Sequence, residues 1–375
     1  MSNIKRVAIF LSVVAAIAIV AGSFKGSDVL DRSIILGIGI DSFGEDGIQL
    51  TAEVVSPGNG SEQVGTFSKT VTVEAETIGR AIQNIAEYTG KEASLGQCVV
   101  LVLGQDYYEN VDFTDLIDFF INHHSFKEST VICCCQGTAK ELYSKGVALS
   151  QSVSLAIATD MLDQAKKIAV STNNLLKYTR SQSELDCTGF LNKVTFVPSD
   201  NKDSQDPDKT FGYFTYRELA VFRSNRYVCD LNEQEVRGMS LFVDDIIGET
   251  FVSSADGSKR TLQVNHKNIE QKMTDNGGFD ISITLSVRLG RTDSEEVSGM
   301  LSSQKDKEID PKLLDNVKEQ AMQLATAFLA KQAEYNFDLL KFHESYRQKE
   351  GTSDQLAHKP TADFPVNLTI QVKEN

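Results

Sequence analysis

The stretch from Leu30 to Pro57 places the strongest local constraint on the fold, because it predicts a β-hairpin near the start of the chain. The run from Ile34 to Ile40 is apolar and rich in β-branched residues, which favours a strand. Ser42 to Gly47 then supplies Gly, Asp and Ser, the residue types that let a backbone reverse direction. Gln49 to Val55 resumes with apolar side chains on one face, which predicts the second strand.

An uncharged segment of 18 residues, Val7 to Phe24, precedes this hairpin. As a helix it would span roughly 27 Å, close to the hydrocarbon thickness of a bilayer. Lys5 and Arg6 lie before it, which predicts a cytoplasmic N-terminus with the rest of the chain outside. We therefore predict a membrane anchor within residues 1–25. The small residues Ala21 to Ser23 leave a cleaved signal peptide as one alternative, and a buried core helix is another.

Composition limits the classes of partner. The chain has 375 residues, enough for two or three domains with their own cores, and 41% of them are hydrophobic. Its formal net charge is -15, so the sequence offers no basic surface that could neutralise a run of phosphates. The same charge argues against docking on an anionic lipid surface. We predict neither nucleic-acid binding nor a basic lipid-binding patch.

Strand and helix patterns alternate through the first half of the chain. For example, Ile78, Ala81, Ile82 and Ile85 follow helical spacing, and Gly90 is a suitable C-terminal stop. The predicted strands are Phe67–Val73, Cys98–Leu103, Val131–Cys135 and Phe190–Val197, and the predicted helices are Glu76–Thr89, Asp112–Ile121, Thr138–Tyr143, Ser150–Val170 and a short piece near Asn173–Tyr178.

A polar segment from Pro198 to Thr210 separates this half from the rest and predicts a domain boundary or a long exposed loop. Beyond it, Asn276-Gly277-Gly278 is a strong hairpin signal. The predicted strand after it has an apolar residue at every second position. The predicted elements here are strands Glu218–Arg223, Arg226–Leu231, Thr261–Lys272, Phe279–Leu289 and Val366–Val372, with helices Glu233–Met239 and 311–345. Leu314, Val317, Ala321, Leu324 and Phe328 form the predicted buried stripe of the long helix.

The interleaved patterns predict an α+β fold with mixed sheets and helices. We assign residues 30–205 to an N-terminal α+β region and residues 211–375 to a C-terminal α+β region, with a further split near residue 255 as an alternative.

The three consecutive cysteines Cys133 to Cys135 are the most conspicuous candidates for chemistry. On a strand their side chains alternate between faces, so neighbours do not form one ligand set. The spacing also lacks the C-x2-C pattern of zinc and redox sites. We predict buried free thiols on a central strand.

Other candidate groups have simpler interpretations. His123 and His124 lie at a predicted helix end, which indicates a capping or surface role. Asp200, Asp203, Asp206 and Asp208 do not match the positions of a calcium-binding EF-hand loop and indicate a solvated loop. The glycine pair Gly37 and Gly39 is poor evidence for a nucleotide site. We therefore assign no catalytic, cofactor-binding, metal-binding or ligand-binding residue and predict that the chain is not an enzyme.

Many short matches give the chain a resemblance to the Ger(x)C family, the C subunits of spore nutrient-germinant receptors. The order of these matches along the chain carries the resemblance. They are Gly37 to Asp41, Val55 to Pro57, Ser94 to Gly96, Val99 to Gly104, Leu116 to Ile121, Ala139 to Glu141, Leu219 to Phe222, Leu231 to Glu235, Gln332, Asp338 and Leu340.

Three departures from the family pattern are visible. Family members usually carry a lipid-modified cysteine after the apolar segment, whereas the first cysteine here is Cys98. Gln97 stands where the family often has His, and Asn122-His123 where Arg-Asp is common. Membrane attachment would therefore depend on the predicted anchor helix rather than on a lipid.

The resemblance implies an α+β molecule of about three domains and a non-catalytic extracytoplasmic subunit of a germinant receptor. The implied partners are two multi-pass membrane subunits, one channel-like and one transporter-like. The implied location is the outer face of the cytoplasmic membrane, which in the spore is the inner membrane. The alternatives are a stand-alone exported solute-binding or surface-adhesion protein, and a thiol enzyme built on Cys133 to Cys135.

Overall fold

A computed structural model describes ten stretches of the chain: residues 32–56, 67–147, 150, 152–167, 172–199, 210–243, 249–255, 258–289, 309–350 and 360–374. The predicted anchor segment and the four aspartates of the polar segment lie outside these residues. No helix in the stretches that are described is long and apolar enough to cross a bilayer.

The described strands form two sheets. The strands are β1 (Arg32–Phe43), β2 (Gly47–Ser56), β3 (Phe67–Ala75), β4 (Glu92–Ser94), β5 (Val100–Leu103), β6 (Val131–Cys135), β7 (Gly146–Val147), β8 (Thr188–Pro198), β9 (Phe211–Arg223), β10 (Arg226–Leu231), β11 (Thr250–Ala255), β12 (Ser258–Met273), β13 (Phe279–Leu289) and β14 (Val366–Glu374). The first sheet has the order β10-β9-β8-β6-β5-β1-β2-β3, with β4 paired to β1 and β7 to β9. The second has the order β11-β12-β13-β14.

Helices lie between these strands, so the predicted α+β class is confirmed at this level. They are α1 (Ile78–Thr89), α2 (Gln105–Asn110), α3 (Thr114–Asn122), α4 (Ala139–Tyr143), α5 (Val153–Lys167), α6 (Leu175–Gln182), α7 (Glu233–Ser240), α8 (Pro311–Tyr335) and α9 (Phe342–Glu350). Apart from the anchor segment, which lies outside the described residues, the predicted helices are present within a few residues of their predicted bounds, except the long C-terminal one. Helix α2 was not predicted, because its six residues are too few to show a helical period.

The predicted hairpin is confirmed. Strands β1 and β2 pair antiparallel, with Ile40 opposite Leu50 and Asp41 opposite Gln49. Gly44 lies in the turn with φ of 64°, a left-handed conformation that glycine adopts without a steric penalty.

The centre of the first sheet is parallel and buried on both faces. Strand β5 pairs parallel with β1 and β6, and β6 pairs parallel with β8. Leu101 and Leu103 pack in one core with α1, α2, α3 and α6, whereas Val100 and Val102 face a second core with α4 and α5. Helices on both faces explain why β5 is a continuous apolar run rather than an alternating one.

The second sheet is covered on one face by α8. The alternating apolar side chains of β13 form a core with Leu313, Val317, Ala321 and Ala325 of the helix. Strands β12 and β13 pair antiparallel through the predicted turn, where Gly277 has φ of 79°. Strand β14 pairs parallel with β13 at the edge of this sheet.

The predicted continuous helix 311–345 is wrong at its C-terminal end. Helix α8 ends at Tyr335, and Asn336 adopts a left-handed conformation with φ of 52°. The chain then turns so that Phe337 and Asp338 are buried before α9 begins. The predicted stripe is largely confirmed, because Val317, Ala321 and Phe328 are buried. Leu314 and Leu324 are partly buried against the same core, and Leu313 and Ala325 are buried beside them.

Strands β8 and β9 flank the polar segment and are neighbours in one sheet. They pair antiparallel from Thr188 opposite Arg223 to Pro198 opposite Gly212. The first sheet therefore includes residues beyond 211, because β9 and β10 belong to the same sheet as β8. The proposed domain bounds stay a prediction.

The first sheet meets α7 and α8 around a fourth core, with a buried polar group beside it. Leu219, Val221 and Leu231 of the first sheet pack with Val236 of α7 and Phe328 of α8. Beside them, Asp338 accepts hydrogen bonds from the backbone N–H of Phe342 at 2.9 Å and of His343 at 2.8 Å. Its carboxylate also contacts the His343 Nδ1 at 2.7 Å. This aspartate caps α9 within the junction.

Substituting Gly39→Ala should lower the free energy of unfolding by about 1–3 kcal/mol, because overpacking of a close backbone approach forces neighbours to move. A Cβ at this position would lie 2.7 Å from the Ala139 Cβ and 3.0 Å from a ring carbon of Tyr143. Chemical denaturation measures the change. Gly96→Ala is the matched control, since its nearest neighbour would be 3.6 Å away. Equal stability of the two variants would contradict the close packing.

Substituting Asp338→Ala should lower the free energy of unfolding by about 2–4 kcal/mol, because buried backbone N–H groups lose their acceptor. The same denaturation experiment serves, with Asp315→Ala on the exposed face of α8 as control. The control should change stability by less than about 0.5 kcal/mol. A similar small effect for Asp338→Ala would mean that water replaces the cap.

Candidate functional site

The end of β1 carries a buried carboxylate that holds helix α4 in place. Asp41 is 5% exposed and accepts hydrogen bonds from the backbone N–H of Ala139 at 2.7 Å and of Lys140 at 3.0 Å. Burial raises the pKa of Asp41, and these two hydrogen bonds act in the opposite direction. A carboxylate at a helix N-terminus is favourably placed for the exposed N–H groups. Its role is therefore structural.

A second buried carboxylate does the same for α5. Glu53 on β2 accepts from the Ser154 backbone N–H at 2.8 Å and from the Ser152 hydroxyl at 3.0 Å. Sequence inspection missed this cap, since Glu53 lies about a hundred residues before its partners. The only local signal was the serine-rich start of the predicted helix.

The glycine pair on β1 makes room for protein side chains rather than for a ligand. Gly37 and Gly39 face Tyr143, and Ser154 also lies against Gly37. The Tyr143 hydroxyl and the Ser154 hydroxyl are 3.4 Å apart in the buried space above the strand. Packing within the protein therefore accounts for both glycines.

The three cysteines of β6 are free and fully buried on a central strand, as predicted. Cys134 faces one core of the first sheet, whereas Cys133 and Cys135 face the other. Burial raises the pKa of all three thiols, so they stay protonated and weakly nucleophilic at neutral pH. This geometry does not support the thiol-enzyme alternative.

The histidine pair lies at the C-terminal end of α3, as predicted. His123 is the C-terminal capping residue, and its ring stacks on that of His124 with centroids 5.0 Å apart. Burial and the neighbouring His124 lower the pKa of His123. Within the described stretches, no group of three or more His, Cys, Asp or Glu side chains is placed to hold a metal ion.

A cleft that sequence inspection missed lies beside the β1–β2 turn. Its volume is about 500 Å³, and it is lined by the turn, the start of α1 and the segment joining α2 to α3. Ile48, Ile78 and Leu116 in its lining are buried and form its apolar base, whereas the carboxylates in its lining are exposed to solvent. In the sequence each of these carboxylates is indistinguishable from an ordinary surface charge. Their proximity becomes visible only in the folded chain.

Thiol labelling of the native protein should modify a single cysteine. Cys187 is partly exposed, whereas the other five cysteines are buried. Burial also raises the pKa of Cys98 and of Cys229 to about 12. We expect one maleimide adduct by intact mass without denaturant, and none for Cys187→Ser. Rapid modification of Cys133, Cys134 or Cys135 would contradict this structure and revive the thiol-enzyme hypothesis.

Comparisons with known proteins agree on a family. A family model described as the spore germination protein N-terminal domain matches residues 26–188, and one described as spore germination B3/GerAC like, C-terminal, matches residues 217–375. The comparison with curated proteins gave no match. A solved structure entitled "Crystal Structure of the GerBC protein" is similar in fold, with a TM-score of 0.54 and 15% sequence identity over 90% of this chain and 96% of that one.

The N-terminal family model matches the first half of the sequence and the C-terminal family model matches the second half. The short motifs at Gly37 to Asp41 and at Ala139 to Glu141 fall within the first match, and those from Leu219 to Leu340 fall within the second. The chain belongs to the Ger(x)C family of spore germination proteins.

Proposed function

We propose that this chain is a non-catalytic, extracytoplasmic subunit of a spore germinant receptor that acts through contacts with other subunits. The observation that carries the proposal is membership of a spore germination family over both halves of the chain. The fold similarity to the GerBC protein is consistent with it. The proposed role is to support nutrient-triggered germination within the assembled receptor.

The roles of the buried reactive groups support a binding function rather than a catalytic one. Asp41 and Glu53 cap helices, and the thiols of β6 are enclosed by two cores. A catalytic group has to reach a substrate, whereas these side chains are already engaged with the protein.

The proposed partners are two multi-pass membrane subunits, one channel-like and one transporter-like. The proposed location is the outer face of the cytoplasmic membrane of the spore, reached through the anchor at Val7 to Phe24. Strand β1 begins shortly after this segment. Its 12 residues span roughly 40 Å, so the β1–β2 turn would lie well away from the membrane if the strand points outward.

A pull-down from dormant-spore membranes tests the proposal. The full-length chain with a C-terminal tag is extracted in mild detergent, purified, and its partners are identified by mass. We expect two multi-pass membrane proteins to co-purify. A single-anchor membrane protein with the same tag, purified from the same spores, controls for detergent carry-over.

The opposite outcome is equally informative. Recovery of the chain alone, at its monomer mass, would contradict the receptor-subunit proposal and leave family membership as a statement about fold. The alternative of a stand-alone exported solute-binding protein would then take its place, since the cleft of about 500 Å³ has a volume typical of small-molecule sites. A surface-adhesion role has no specific feature of the described residues in its favour.

A further inference from the structure

The cleft beside the β1–β2 turn combines an apolar base with a shape suited to a small ligand. Ile48, Ile78 and Leu116 come from β2, α1 and α3, and Val111 and Phe119 extend the same surface. A volume of about 500 Å³ lies within the range of ligand pockets, which are mostly apolar with a few well-placed polar groups. An apolar group of a ligand would therefore leave water on binding.

The charges around the opening are all of one sign. Glu45, Asp46, Glu76, Asp112 and Asp115 line the cleft, and no Lys, Arg or His side chain does. Asp112 pairs with Arg226 at 3.0 Å. The other four carboxylates have no ion-pair partner in the described part of the chain. Arg80, the nearest arginine along α1, is engaged with Gln83 and Glu87 instead.

Local structure accounts for three of these four carboxylates. Asp115 lies in the first turn of α3, and Glu76 precedes the capping residue Thr77 of α1. Negative charge is stabilising near a helix N-terminus, so these positions have a structural explanation. Asp46 lies on the β1–β2 turn, where Asp is one of the residue types that favour a chain reversal. Glu45 lies beside it on the same turn and has no such explanation.

Tyr107 gives an independent indication of a ligand. Its side chain lines the cleft and only 5% of the residue is exposed, yet its hydroxyl has no hydrogen-bond partner in the described part of the chain. Burial and the nearby carboxylates of Asp115 and Asp112 raise its pKa to about 12. The neutral hydroxyl therefore offers both a donor and an acceptor to a molecule in the cleft.

We propose that this cleft binds a small organic cation, with an ammonium or guanidinium group held by the carboxylates and an apolar stem held by the base. The four carboxylates without an ion-pair partner in the described part of the chain complement a positive charge, and the apolar base accommodates the uncharged part of the same molecule. The Tyr107 hydroxyl supplies the directed hydrogen bond. The proposal goes beyond the receptor-subunit function and does not depend on it, since the cleft is formed by this chain alone.

Calorimetric titration of the full-length chain in detergent with 2-phenylethylamine tests the proposal. At neutral pH this probe carries an ammonium group on a short apolar stem. We expect saturable binding at one site that weakens as sodium chloride is raised. The matched probe is 3-phenylpropionate, which has a similar shape and the opposite charge. We expect it to bind at least about tenfold more weakly, because like charges in the cleft repel it.

Variants of the chain locate the binding site. The double variant Glu45→Gln and Asp46→Asn, in an exposed turn, should weaken amine binding by about tenfold or more. Tyr107→Phe, which removes only the hydroxyl, should weaken it by about three- to tenfold. Asp118→Asn is the control, since Asp118 is exposed on α3 and does not line the cleft. Thermal melts of all variants confirm that they fold.

Equal binding of the two probes, or unchanged amine binding in the double variant and in Tyr107→Phe, would overturn the proposal. So would the absence of saturable amine binding. A lysine-containing peptide that binds when the free amine does not would reassign the cleft to a basic segment of a protein partner, and would also overturn the small-molecule assignment. None of these outcomes changes the pull-down result, so the two proposals fail separately.

Discussion

The Asp41 carboxylate joins two parts of the chain on which the first sheet depends. Asp41 lies near the end of β1 and caps the N-terminus of α4 by accepting hydrogen bonds from the backbone N–H groups of Ala139 and Lys140. Gly37 and Gly39 allow the same helix to approach β1, because any side chain there would meet Tyr143. The segments Gly37 to Asp41 and Ala139 to Glu141 therefore form one structural unit in this chain.

Local patterns were sufficient to predict most helices and strands. They could not predict which elements distant in sequence contact one another. The β1–β2 hairpin and the alternation of β13 follow from neighbouring residues, and both are confirmed. The parallel order of β1, β5, β6 and β8 depends on pairings such as Gly37 with Val100 and Cys133 with Asn192, which are far apart in sequence and which no local period encodes. The predicted end of α8 was wrong for a related reason. In the sequence Asp338 fits a continuing helix, and only the structure shows that it accepts hydrogen bonds from the backbone N–H groups of Phe342 and His343.

The candidate functional residues likewise include some that the sequence could predict and some that it could not. Burial of Cys133 to Cys135 could be predicted, since an apolar strand of five residues between helices has both faces covered. The cleft could not, because the β1–β2 turn, α1 and the α2–α3 segment reach it from three separate places in the sequence. An acidic residue on a turn or at a helix start is common, so the carboxylates alone do not distinguish this surface from a solvated one. The Tyr107 hydroxyl beside them does, because it has no hydrogen-bond partner in the described part of the chain.

Packing also limits how a signal could pass through this molecule. The first sheet is enclosed by cores on both faces, and a further core joins it to α7 and α8, where Gly238 lies against the Leu324 carbonyl. Close-packed interiors of this kind resist gradual deformation. A ligand in the proposed site at the β1–β2 turn would therefore act on the proposed partner subunits mainly by changing the charge and shape of the surface at that end of the sheet. Neutralising several carboxylates there would alter an electrostatic contact without rearranging either sheet.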